Sequence, residues 1–109
     1  METKEALEIL SDGHGIISPE TAEEVCRSIG VPFDRGRLVR PWHSDPPGTP
    51  KGLTMGQGME GTEGVYSLVL STYVARSLGV LGQARACHGR GFQAREYVRV
   101  IKVALQDKG

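Results

Sequence analysis

The sequence predicts an α+β domain: a small antiparallel or mixed sheet flanked by an N-terminal helical region and a C-terminal helix. Three observations predict it. Segments near 18–29 and 92–106 repeat apolar residues at the 3.6-residue period of a helix. Segments near 37–42 and 65–73 alternate as half-buried strands do, and the second is rich in β-branched and aromatic residues. Between these two lies a stretch too rich in glycine and proline for a helix. The 109 residues, 39% apolar and 24% charged, suit one folded domain with one hydrophobic core and exclude a disordered or collagen-like chain. Apolar runs are too short to span a bilayer, and the opening METKEALEIL lacks the apolar stretch of a signal peptide, so no membrane partner is expected.

Each element has its own justification. Residues 3–10 place Ala6, Ile9 and Leu10 on one helical face. The glycines of Asp12-Gly13-His14-Gly15 break that helix. Ser18-Pro19-Glu20 is a helix start: a serine that can cap, a proline tolerated in the first turn, and an acid at the positive end of the dipole. Ala22, Val25, Cys26 and Ile29 then form an amphipathic stripe that Gly30 and Pro32 end. Residues 33–42 read as extended. Three of the six prolines fall in the loop 44–51. Five glycines, at 52, 56, 58, 61 and 64, mark an irregular strand, hairpin or loop, with a strand expected near 52–60. Residues 65–74 fit two templates. Tyr66, Leu68, Leu70 and Thr72 alternate as in a strand, whereas Val65, Leu68, Val69 and Thr72 fit a helix; composition favours the strand. Finally Ala94, Tyr97, Val98, Ile101, Ala104 and Leu105 make an apolar stripe opposite Arg95, Arg99, Lys102 and Gln106.

Residues that carry chemistry are few. Cys26 and Cys87 form no framework and read as buried free thiols, in keeping with a reducing compartment. His14, His43, His88 and Cys87 lack metal-ligand spacing, so no metal is expected. Adjacent Cys87 and His88 are a poor nucleophile–base pair, and no paired carboxylates or nucleophile elbow occur, so neither catalysis nor a cofactor is expected. Gly89-Arg90-Gly91 is either a turn that starts the last helix or a backbone cradle for a phosphate.

Charge is divided along the chain. Through Asp34 there are eight acids and two bases; from Arg35 onward there are eleven bases and five acids. Such opposite fields suit head-to-tail contact between identical copies, unless folding mixes them. Residues 18–42 also resemble a degenerate helix-turn-helix, a helix and glycine turn followed by a basic segment. Pro32 and Gly36 interrupt its recognition helix. That makes a small DNA-binding regulator the alternative function.

Three stretches, Val31–Trp42, Tyr73–Gly79 and Gly89–Arg99, follow one another as do the segments of a family of bacteriophage tail-completion or head–tail joining proteins. The chain resembles that family over residues 20–106. It departs from the family pattern at Arg35, where threonine is usual, at Ser77, where an acid is usual, and at Glu96 and Val100, which replace prolines. The resemblance implies a structural virion protein and no enzyme: a homo-oligomeric ring, typically of six copies, through which double-stranded DNA passes. Its implied partners are copies of itself and other connector or tail-tube proteins, assembled in the host cytoplasm. The subunit or partner interface expected on this reading is Arg37, Arg40, Trp42, Arg90, Phe92, Arg95, Arg99 and Lys102.

Overall fold

The computed structural model describes residues 1–13, 15–41 and 63–108. In chain order the elements are α1 (Thr3–Ser11), β1 (Ile16–Ile17), α2 (Pro19–Ile29), α3 (Arg35–Leu38), β2 (Arg40–Pro41), β3 (Glu63–Tyr66), α4 (Ser67–Ser77), a 3-10 turn (Leu81–Gln83) and α5 (Arg90–Lys108). The domain is α+β, as the sequence predicts, with most of the described chain helical and the sheet minimal.

The local signals of α2 act as read. Ser18 accepts a hydrogen bond from the Thr21 amide at 3.3 Å, and Pro19 begins the helix. Gly30, at φ 90°, closes the other end. The amides of Gly30 and Val31 both donate to the Cys26 carbonyl, at 2.9 and 2.8 Å, and Gly30 also reaches the Arg27 carbonyl at 3.2 Å, so the chain wraps back over the last turn. Ala22, Val25, Cys26 and Ile29 are all buried.

Three expectations need correction. Residues 35–38 form a helical turn, α3, rather than the start of a strand at 37; the Asp34 side chain accepts from the Arg37 amide at 3.1 Å and nucleates the turn. Only Arg40–Pro41 of the segment 37–42 is paired as a strand among the described residues. The strand expected over 65–73 is confined to residues 63–66, and α4 follows at once. The strand expected near 52–60 lies outside the described residues. The reason for α4 is tertiary. Its buried stripe is Ser67, Leu70, Ser71, Val74 and Ala75, at helical spacing, with two serines hidden in it. Ser71 and Thr72 each donate to the Leu68 carbonyl at 2.9 Å, which meets their hydrogen-bonding need inside the helix.

The sheet order is β1-β3-β2, all antiparallel. Ile16 and Ile17 face Tyr66 and Val65, while Arg40 and Pro41 face Gly64 and Glu63. Pro41 sits on an edge strand, where a missing N–H is tolerated. β1, unheralded by the sequence, is only two residues long.

The core lies where α5 packs on α4 and α1, and α1 on α2. Leu10, Val25, Val65, Leu70, Val74, Val100 and Ile101 are its largest fully buried aliphatic side chains. Gly13 marks a close approach: a Cβ there would lie 2.4 Å from the Arg90 carbonyl oxygen and 3.2 Å from Ala94 Cβ. Only glycine lets this turn lie against the first turn of α5. No helix among the described residues is long and apolar enough to cross a membrane.

Candidate nucleic-acid interface

α2, the turn 30–34 and α3 form a consecutive helix–turn–helix pair between β1 and β2. Leu38, 4% exposed, anchors α3 to the core, with half-buried Phe33 and Val39 packed beside it. The Tyr73 hydroxyl of α4 donates to the Pro32 carbonyl and holds the turn in place. With its apolar side so fixed, α3 leaves Arg35, Gly36 and Arg37 exposed, and Arg40 follows two residues after the helix ends.

These arginines are held lightly. Arg35 pairs with Glu63 at 2.6 Å, tying α3 to the first residue of β3. Arg37 Nε lies 3.9 Å from Asp34 Oδ2. Arg40 donates to the Gly36 and Val39 carbonyls at 3.3 and 3.0 Å. Both ion pairs are more than half exposed on the arginine side, so each is worth at most about 1 kcal/mol and is open to a competing anion. Beside them a groove of about 330 Å³ runs between α3 and α4, lined by Arg37, Leu38, Leu68, Val69, Thr72, Tyr73 and Arg76.

The other expected interface residues lie elsewhere. Trp42 is outside the described residues. The predicted polar stripe of α5 is exposed: Arg95, Arg99, Lys102 and Gln106 all face solvent. Its members nevertheless have intramolecular roles. The Arg90 guanidinium lies 5.5 Å from the Tyr66 ring centroid, joining α5 to β3. Phe92 is 63% exposed, with the Arg95 guanidinium 5.6 Å from its ring. Arg99 donates to Glu96 and to the Gln83 carbonyl, fastening the 3-10 turn to α5. The Arg99 hydrogen bond, then the Arg85 amide, holds the Glu96 carboxyl below its usual range. Lys102 borders a second groove, against α1. Arg37 and Arg40 therefore come together at α3, whereas Arg90, Phe92, Arg95, Arg99 and Lys102 run along α5.

Sequence reasoning missed Arg35 and Arg76. The capping spacing Asp34-x-x-Arg37 was the available signal for the first; Arg76 was hidden by the ambiguity of the segment that became α4. Of the two cysteines, Cys26 is buried as expected, and burial, aided by Glu23, pushes its thiol up to about 11. Cys87 is only half-buried, in irregular chain before α5, which corrects the expectation of a second buried thiol. No family model, curated protein or solved structure matches the chain.

Proposed function

We propose that the chain is a duplex-DNA-binding module of the winged helix–turn–helix kind, the alternative function raised by residues 18–42. The observation that carries this reading is the topology. One helix and a first strand precede the helix–turn–helix pair, a second and third strand follow it, and the third lies between the other two. In that architecture the second helix of the pair faces the DNA, and the connection between the last two strands is the wing. Here α3 is that second helix. Arg35, Arg37 and Arg40 supply the positive charge beside it.

The size of α3 sets the kind of recognition. Four residues span about 6 Å, less than two base-pair steps of duplex. Such a turn reads few base edges, so binding rests mainly on phosphate contacts and discriminates weakly among sequences. Three arginines on three phosphates give a slope of log affinity against log salt of roughly −2.7. Fluorescence anisotropy with a labelled duplex, from 50 to 200 mM salt, tests this. Arg37→Ala and Arg40→Ala should each reduce the slope by about 1. Absence of salt-dependent binding, or a triple Arg35/Arg37/Arg40→Ala variant that binds as the parent does, overturns the reading.

A second reading, the homo-oligomeric ring of a tailed-phage head–tail junction or tail end, is supported by one observation beyond the resemblance. Phe92 stands 63% exposed at the start of α5, where a neighbouring copy can cover it. The intramolecular hold on Arg99 moves the test to Phe92 and Arg95. A native mass of several copies, reduced to one by Phe92→Ser with Arg95→Glu, favours the ring; a monomer at all concentrations removes it.

A further inference from the structure

We infer that the groove between α3 and α4 is a binding site for a small amphipathic organic anion, an aliphatic or aromatic carboxylate or sulfonate, that competes with duplex at Arg37. The groove's volume of about 330 Å³ fits a body of that size. Its apolar lining is Leu38, Leu68 and Val69, and Val69, 46% exposed, leaves that lining open to an apolar ligand.

Its polar lining fixes the charge of the occupant. The Thr72 hydroxyl proton goes to the Leu68 carbonyl and that of Tyr73 to the Pro32 carbonyl. The side-chain donors left are the guanidinium groups of Arg37 and Arg76. Arg37 has its 3.9 Å contact to Asp34, and Arg76 makes no hydrogen bond or ion pair among the described residues. Two guanidinium groups beside an apolar strip match an anionic head on an apolar tail, since guanidinium takes carboxylate and sulfonate oxygens in a fixed fork. A sugar or other uncharged polar ligand finds no such match.

The inference rests on the DNA-binding reading only for its consequence. Arg37 belongs both to this groove and to the exposed face of α3, so anion and phosphate compete for one side chain. Each then weakens the other by the same factor.

The probe is 1-anilinonaphthalene-8-sulfonate, an aromatic anion whose fluorescence rises in apolar surroundings, titrated against the folded full-length chain. One equivalent should bind, more weakly as salt rises. Arg76→Gln should weaken it about tenfold, the loss of one charge-assisted hydrogen bond. Val69→Asp should weaken it at least as much, and Lys102→Glu, at the α1–α5 groove, should leave it unchanged. Circular dichroism of each variant guards against dye bound to a loosened core. Probe binding that survives Arg76→Gln or Val69→Asp unchanged, or that is lost in Lys102→Glu, overturns the inference. The two readings fail separately. A parent chain that binds the probe but no duplex sinks the DNA-binding reading and leaves the groove standing. Arg76→Gln that loses duplex while keeping the probe makes Arg76 a phosphate contact and removes the groove.

Discussion

α2 and α4 are both eleven-residue helices buried along one face, yet they are held in opposite ways. α2 is specified by its own ends. A serine caps it, a proline starts it, and a left-handed glycine stops it. α4 has no side-chain cap, follows directly from a strand, and buries a stripe that includes Ser67 and Ser71. What makes α4 a helix is its surroundings: α5 and α1 pack on it, and the amide of Ser67 donates to the Gly15 carbonyl at 3.0 Å. Local chemistry suffices for one helix, and tertiary packing decides the other.

This contrast can be broken from either side. The largest effect belongs to α4, where Leu70→Ala should cost about 2–5 kcal/mol in chemical denaturation, because Leu70 is fully buried between helices and leaves a cavity. On α2 the damage should come from the ends instead. Ser18→Ala should cost about 1 kcal/mol through the lost cap, and Gly30→Ala about 1 kcal/mol through the left-handed φ of 90°. Peptides sharpen the point. A synthetic 17–31 segment should show measurable helicity by circular dichroism that Ser18→Ala lowers, whereas a 66–78 segment should show none until paired with α5.

A smaller effect of opposite sign is expected at Ser67. Its hydroxyl is buried with no hydrogen-bond partner, so Ser67→Ala should leave stability unchanged or raise it by up to about 1 kcal/mol. A loss above 1 kcal/mol would mean that the hydroxyl is satisfied in solution. The remaining effects are ionic and show only when the pH is changed. The thiol of Cys26 is raised to about 11 in the fold against 9.0 for a free thiol, so the fold holds its proton more tightly. Stability should therefore be intact below pH 9 and decline as pH climbs toward 11, and Cys26→Ala should blunt that decline. Glu96 behaves in the reverse sense. Its lowered value contributes above the ordinary carboxylate range and is lost on acidification through the folded value, a slope that Glu96→Gln should remove. Native thiol titration should count Cys87 quickly and Cys26 only on unfolding.

Legibility followed the same division. α1, α2 and α5 could be read because their buried residues are apolar and their breaks carry glycine. α5 even runs two residues beyond the expected 92–106 at each end. α4 was misread because its buried face is partly serine, and a pattern drawn from apolar residues selects the wrong face. β1 was invisible because two isoleucines beside a helix start carry no alternation; they are extended only because β3 lies beside them. At the α3 surface, Arg37 and Arg40 were legible as charge. The closeness of Arg37 to Arg76 was not, since it depends on where α4 lies.

The turn at Gly13, pressed against the Arg90 carbonyl, brings together residues far apart in the chain. During synthesis α1 emerges before the surfaces of α4 and α5 that share the core with Leu7 and Leu10. The early half must wait with those leucines incompletely covered until α5 has left the ribosome. Its closure is a late, non-local event of the kind that slows folding. A nascent chain stalled before residue 90 should therefore attract holding chaperones, and a chain cut there should aggregate rather than persist as a smaller domain.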